Sequence, residues 1–170
     1  MQDKKKESVS WSVYAKWQRD IQKQHDEENE LEHNRPTWEQ TFMSIAKVVA
    51  KRSKDPHTKV GAVLVKDKLI LSIGYNGEPR NYRLNFDWHS SEKYDYVIHA
   101  ELNAIANATH FGNTIVGSDI YLTLSPCKDC IKLLIQHGIK NVYYLEEYKD
   151  IELVKKIASG SDINLVKMEE

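Results

Sequence analysis

Polar residues dominate the first 35 positions, and the apolar ones among them include Trp11, Tyr14, Trp17 and Ile21, three or four residues apart. That period predicts a solvated helix with one apolar stripe. The acidic stretch from Asp26 to Glu32 extends its polar face. Asn34-Arg35-Pro36 breaks this pattern, and Thr37 with Gln40 three residues later predicts a capping box for the next helix. There Trp38, Phe42, Ile45, Val48 and Val49 fall on one stripe, as in an amphipathic helix laid on a sheet. Thr58 to Lys66 and Lys68 to Tyr75 are rich in β-branched residues and flank a tight turn at Asp67, which predicts an antiparallel hairpin. Asn76-Gly77-Glu78-Pro79 is turn chemistry. The irregular segment Arg80 to Tyr96, with Trp88 and His89 in its middle, reads as a functional loop.

The rest alternates. A helix is expected over 99–110 with Leu102, Ile105 and Ala106 on one side, then a strand over 119–123 and a helix over 127–137. A strand over 141–145, a helix over 151–158 and a short strand over 163–166 follow. An initial hairpin followed by alternating helices and strands implies an α/β fold, a mixed sheet covered by helices on both faces. We expect an N-terminal helical extension over 1–35 and one domain over 36–170, with no internal repeat.

Composition narrows the function classes. The chain has 170 residues, enough for one domain with a real core, and 41% of them are hydrophobic. No apolar run approaches a membrane span, and MQDKKKESVS lacks a secretory apolar segment, so no membrane partner is expected. The net charge of −1 argues against a dedicated nucleic-acid binder but leaves room for a small phosphorylated substrate. Only two cysteines occur. Their commitment to a metal would imply a reducing compartment, and a cytoplasmic location is expected, in the host cytoplasm if the chain is viral.

Those cysteines lie in Pro126-Cys127-Lys128-Asp129-Cys130, downstream of His99-Ala100-Glu101. His99, Cys127 and Cys130 are the candidate zinc ligands, and Glu101 is a carboxylate that need not be one. Three protein ligands leave tetrahedral zinc one position for water, as catalytic sites require. Both motifs open predicted helices, where the backbone favours negative charge and helps hold thiolates. A closed structural site would need a fourth ligand, with His89 and His110 nearest in sequence, and a redox Cys-x-x-Cys would leave His99-Ala100-Glu101 unexplained. The joint pattern H-x-E…P-C-x-x-C is the signature of zinc nucleobase deaminases.

SKDPHTKVGAVLV, GYNGEP, KYDYVIHAELNAI and YLTLSPCKDC together resemble the deoxycytidylate (dCMP) deaminases of the cytidine deaminase superfamily, over roughly Arg35 to Leu145. The resemblance implies a five-stranded mixed sheet between helices and one catalytic zinc per subunit. It also implies a homo-oligomer, a hexamer in most members. The implied reaction is hydrolysis of dCMP to dUMP and ammonia, which supplies thymidylate synthesis, with dCTP as activator and dTTP as inhibitor. Glu101 would be the proton shuttle. The Ala100 amide and the Leu124-Ser125 carbonyls would meet the base, with Tyr96, Tyr121 or Tyr148 as stacking faces. Asn76 would contact the sugar. Gly74, Tyr75, Asn76, Gly77 and Arg80 are the candidate regulatory residues. Lys54 is a candidate for the phosphate, in company with Lys51, Arg52, Ser53, Lys59, Arg80 and Arg83. Glu78 stands where the family more often has an apolar residue. Deaminases of dCTP or of another cytosine nucleoside or nucleotide share the motif, and a zinc- and nucleotide-binding protein without turnover is the alternative from another class.

Overall fold

The computed structural model describes residues 11–169, so the expectations for MQDKKKESVS lie outside the described residues. The chain divides into two compact units, Met1–Thr37 and Trp38–Glu170. In the first, α1 spans Trp11–His33. It contains no glycine or proline, and contacts one turn apart run along it: Gln18 donates to Tyr14, Gln22 donates to Asp26, and Lys23 pairs with Glu27. Among the described side chains, Val13, Tyr14, Trp17 and Leu31 are exposed.

The second unit begins with α2 (Trp38–Ala50) and the hairpin β1 (Gly61–Lys66) and β2 (Leu69–Tyr75). It continues with α3 (Ala100–His110), β3 (Asp119–Leu124), α4 (Lys128–Gln136), β4 (Asn141–Glu146), α5 (Ile151–Ala158) and β5 (Asn164–Lys167). The sheet order is β2-β1-β3-β4-β5. β1 runs antiparallel to β2 and β3, whereas β3, β4 and β5 are parallel. The expected five-stranded mixed sheet with helices is therefore present. Asp67 and Lys68 both take positive φ, 51° and 64°, the geometry that lets a two-residue turn match the twist of its strands.

Side chains alternate across the sheet. One face carries Ala62, Leu64, Ile120, Leu122, Val142 and Tyr144 into the larger core, which α3, α4 and α5 close. The other carries Val63, Val65 and Tyr121 onto Phe42, Met43 and Ala46 of α2. The buried face of α2 differs from the expected stripe, because Trp38 and Val48 are exposed and the buried set is Phe42, Met43, Ala46, Val49 and Ala50. The reason is close approach. Ala46 rests on Gly61, where a Cβ would collide with the Ala46 carbonyl, and this rotates the helix about that contact. Likewise α3 buries Ala104, Ile105 and Ala108, whereas Ala106, expected inside, is exposed. Gly74 sets that packing, since a Cβ there would strike Ala100 O and Ala104 N.

Thr58 to Val60 also departs from expectation, because these residues precede β1 rather than open it. Side chains hold them together with one main-chain bond, from the Asn76 amide to the Val60 carbonyl. Asp55 accepts from the His57 and Thr58 amides, and Asn76 accepts from the Val60 amide while donating to the Thr58 carbonyl. The 80–96 loop is partly ordered: Ser90 caps a 3-10 turn at Ser91–Asp95, and Tyr82, Phe86, Trp88 and Tyr96 form an aromatic cluster. A bridge between Gly77 and Ile98 ties its end back to the hairpin.

Candidate active site

Two helix starts face one point. His99 is the N-cap of α3, with extended backbone (φ −72°, ψ 157°), and Cys127 is the N-cap of α4 (φ −76°, ψ 171°). Both lie one step before the first turn that the sequence predicts for them. An N-cap side chain projects along the helix entrance, where unpaired amides and the helix dipole favour anionic groups. The Cys127 sulfur uses this position and accepts from the Cys130 amide at 3.5 Å. Cys130, one turn on, is buried. Pro126 closes the approach to α4, and Gly138, at φ +68°, ends it after His137.

The donor atoms converge. His99 Nδ1 lies 3.3 Å from Cys130 Sγ and 3.6 Å from Cys127 Sγ, and all three donor atoms lie within 4.8 Å of one another. Ligands at tetrahedral angles on zinc, with Zn–N of about 2.05 Å and Zn–S of about 2.3 Å, stand roughly 3.5 Å apart. The two nitrogen–sulfur distances bracket that value, so the donor set fits zinc. Neither His89 nor His110 joins this group, which contains no fourth side chain among the described residues. That is the three-ligand arrangement of an open site.

Electrostatics favour an anionic Cys127. The hydrogen bond from the Cys130 thiol is the main force holding the Cys127 thiol well below its ordinary pKa, with the His99 ring and backbone amides adding to it against burial. Cys130 moves the opposite way, because it donates to Cys127 and is buried beside Glu101. Zinc binding by a cysteine pair displaces thiol protons, and a thiolate at Cys127 is already favoured. Contact with Cys127 raises the pKa of His99, against the effect of burial.

Glu101, in the first turn of α3, is 5% exposed. Burial is the main cause of its raised pKa, and its own helix-start amide and the His99 charge offset only part of it. It sits outside the donor group yet shares one cavity with His99 and Cys127. Ala100, Asn76, Ser125 and Tyr148 line the same cavity. Ser125 Oγ accepts from the Tyr148 amide at 2.8 Å and so fixes that wall.

Other candidates lie elsewhere. Lys54 does not line the cavity and pairs with Glu78 at 3.0 Å. Gly74, Tyr75, Gly77 and Arg80 also lie outside it. Tyr75 accepts through its carbonyl from Asn103, Gly77 pairs with Ile98, and Arg80 donates to Asn107, which ties this segment to α3. Tyr121 stacks on Tyr143 in the α2-side core, and Tyr96 belongs to the loop cluster. Asp55, Lys93, Thr58, Val60, Tyr94 and Val97 line the cavity and are the residues that sequence reasoning missed. All six lie inside SKDPHTKVGAVLV and KYDYVIHAELNAI, two of the segments that carry the resemblance, and Asp55-Pro56 is in addition a turn signal.

Residues 36–146 match the family described as the cytidine and deoxycytidylate deaminase zinc-binding region. The chain belongs to that family. It is 44% identical over 127 residues to a probable deoxycytidylate deaminase of Drosophila melanogaster, covering 66% of this chain and 62% of that one. To the human deoxycytidylate deaminase it is 41% identical over 122 residues, covering 66% and 67%. The chain thus spans only about three-fifths of the length of the Drosophila relative (62%). A crystal structure of the dCMP deaminase of cyanophage S-TIM5 in complex with dCMP and dUMP superposes with a TM-score of 0.68 at 32% identity, covering 79% of this chain and 98% of that one. Family membership and the donor geometry agree on zinc as the metal of this centre.

Proposed function

We propose that this chain hydrolyses the 4-amino group of dCMP to give dUMP and ammonia, within a deaminase domain over 36–170. One observation carries the reading. A buried carboxylic acid, Glu101, shares a cavity with a three-member zinc donor set but stands outside it. A scaffold has no need of that acid, whereas a hydrolytic deaminase does. Zinc held by His99, Cys127 and Cys130 would act as a Lewis acid that makes water a nucleophile near neutral pH.

The remaining steps belong to the chain. Glu101 accepts the proton of the attacking water and delivers it to ring nitrogen 3 of cytosine. With the water oxygen now bonded to carbon 4, it takes the remaining proton of that hydroxyl and carries it to the 4-amino nitrogen, so that the C4–N bond breaks and ammonia leaves. A carboxyl whose pKa is raised by burial suits both directions of transfer. Ala100, at the start of α3, presents its amide toward the base, and the Leu124-Ser125 segment supplies acceptors for the amine. Tyr148, held by Ser125, offers a wall for the ring. Asn76 faces the sugar while holding Thr58 and Val60. Lys54, the exposed member of its pair with half-buried Glu78, remains the proposed phosphate contact and would exchange Glu78 for the substrate.

The reading extends to regulation, with dCTP activating and dTTP inhibiting through Gly74, Tyr75, Asn76, Gly77 and Arg80. Its support is mechanical. Asn103 and Asn107 of α3 hold the Tyr75 carbonyl and the Arg80 side chain, so a nucleotide there would act on the helix that carries Glu101. A homo-oligomer, a hexamer by resemblance, is supported by edge strand β2, which exposes Leu69, Ile70 and Ile73. Among the described residues no helix is long and apolar enough to cross a membrane. Work in the cytoplasm, supplying dUMP for thymidylate, completes the proposal.

The test is ammonia release from zinc-loaded protein given dCMP, dCTP, deoxycytidine or cytidine, with and without added dCTP or dTTP. Turnover confined to dCMP, raised by dCTP and lowered by dTTP, is expected. Turnover on dCTP or on the nucleosides instead would reassign the substrate, and none on any of the four would refute the activity.

A further inference from the structure

The wall of the cavity formed by the 55–60 turn and the 91–97 segment contains an ion pair that the chemistry above does not use. Lys93 Nζ lies 2.8 Å from one carboxylate oxygen of Asp55 and 3.0 Å from the other, and both side chains are 6% exposed. They are 38 residues apart, on the turn before β1 and on the 3-10 turn of the 80–96 loop. Two charges are rarely taken this far out of water to stabilise a fold, because desolvation consumes most of their attraction. A paired charge set into a cavity wall is better explained by geometry that must be held.

Each partner is tied to wall main chain. Asp55 accepts from the His57 and Thr58 amides at 2.9 and 3.1 Å, which fixes the turn bearing Thr58 and Val60. The Lys93 carbonyl accepts from the Tyr96 and Val97 amides, which fixes the segment bearing Tyr94 and Val97. The Lys93 ammonium also lies 5.3 Å from the centre of the Tyr94 ring. Thr58, Val60, Tyr94 and Val97 all line the cavity. The Asp55–Lys93 contact is therefore a direct charged cross-link between two loop segments of one wall, beside the Gly77–Ile98 bridge and the His57–His89 ring contact.

We propose that Asp55 and Lys93 are positioning residues: their ion pair latches the 91–97 segment onto the 55–60 turn and so builds the wall against which the nucleotide is held. Neither residue performs the chemistry. The proposal rests on the dCMP reading for its kinetic readout. Its signature is a loss of substrate affinity with the chemical step and the zinc centre preserved.

The decisive variant is the double substitution D55N/K93M. Removing one charge alone would leave the other buried and unpaired, and that could cost the fold. The double variant removes both, and the asparagine side-chain carbonyl at position 55 can still accept from the His57 and Thr58 amides. Zinc content, thermal stability and the kinetics of ammonia release from dCMP are measured on full-length protein. We expect one zinc per chain, kcat close to the parent, and KM for dCMP raised about ten-fold or more, the mark of binding lost equally from ground state and transition state. A parental KM in the double variant, or a fall confined to kcat, would overturn the latch. If the parent protein shows no turnover on dCMP, the functional reading fails but the latch is still decided by hydrogen exchange. Faster exchange of the 91–97 amides with α3 and α4 unchanged supports it, and unchanged protection of 91–97 overturns it.

Discussion

The two sides of the cavity are built by different means. The zinc side is made from the first residues of two helices: His99, Cys127 and Cys130 stand where the backbone itself favours anionic ligands. The facing wall is made from loops. Beside the main-chain bridge of Gly77 to Ile98, its order comes from side chains that cross between segments: Asn76 to Thr58 and Val60, and Lys93 to Asp55. Helix starts place ligands with little added support, because the packing of α3 and α4 on the sheet already fixes them. Loop walls have no such support, and each must be cross-linked. Perturbations of the zinc side should therefore strike chemistry and metal, and perturbations of the wall should strike stability and affinity.

The sharpest test of that division is Glu101→Gln. The amide keeps the shape and removes the proton shuttle, so ammonia release should fall about 10²- to 10⁴-fold. Zinc should remain at one per chain, because Glu101 stands outside the donor group. Residual activity near the parent would move the general base elsewhere.

Next is Cys130→Ala. This removes a buried ligand whose sulfur lies 3.3 Å from His99 Nδ1. Zinc content by elemental analysis should fall well below one per chain. Chelator should destabilise the parent by about 2.7 kcal/mol where free zinc stood a hundred-fold above its dissociation constant. The variant should unfold at the same temperature with or without chelator, and a zinc-loaded Cys130→Ala would exclude Cys130 as a ligand.

Asn76→Ala attacks the wall. It leaves the Val60 amide and the Thr58 carbonyl without their partner. The expected cost is about 2 kcal/mol in urea unfolding, with zinc retained. Loss of zinc in this variant would show that the two sides are not separable.

The same contrast explains what could be read from the chain. His99, Glu101, Cys127 and Cys130 were legible because short-range spacing fixes them relative to helix starts. The hairpin and the parallel strands were legible from apolar runs and turn chemistry. Which residues of α2 face inward was not, because Gly61 sets the rotation of that helix from a different element. The partner of Lys93 was not legible for a related reason. A lysine in a polar loop looks solvated until a partner 38 residues away is brought to it, and no local pattern encodes that distance. The same holds for Tyr121, which the sequence leaves open between a stacking face and the core and which stacks on Tyr143 in the core.

The smallest expected effect, and a separate check on the wall, lies in acid. Burial opposes ionisation of Asp55, yet the Lys93 ammonium and the His57 and Thr58 amides outweigh it and hold the pKa below the ordinary value of 3.8. The folded state thus binds this proton less readily than the unfolded chain. The stabilisation is complete above the ordinary carboxylate pKa and is lost as pH falls from there through the lower folded value. Neither replacement side chain in D55N/K93M titrates, so that variant lacks this contribution at every pH. Urea-unfolding free energies of parent and double variant, compared between neutral pH and acid, should differ by an amount that shifts toward the variant as pH drops below the carboxylate range. A difference that stays constant with pH would mean that the Asp55 carboxyl is no easier to ionise in the folded protein than in the unfolded chain, so that Lys93 and the two amides do no more than offset the cost of burial.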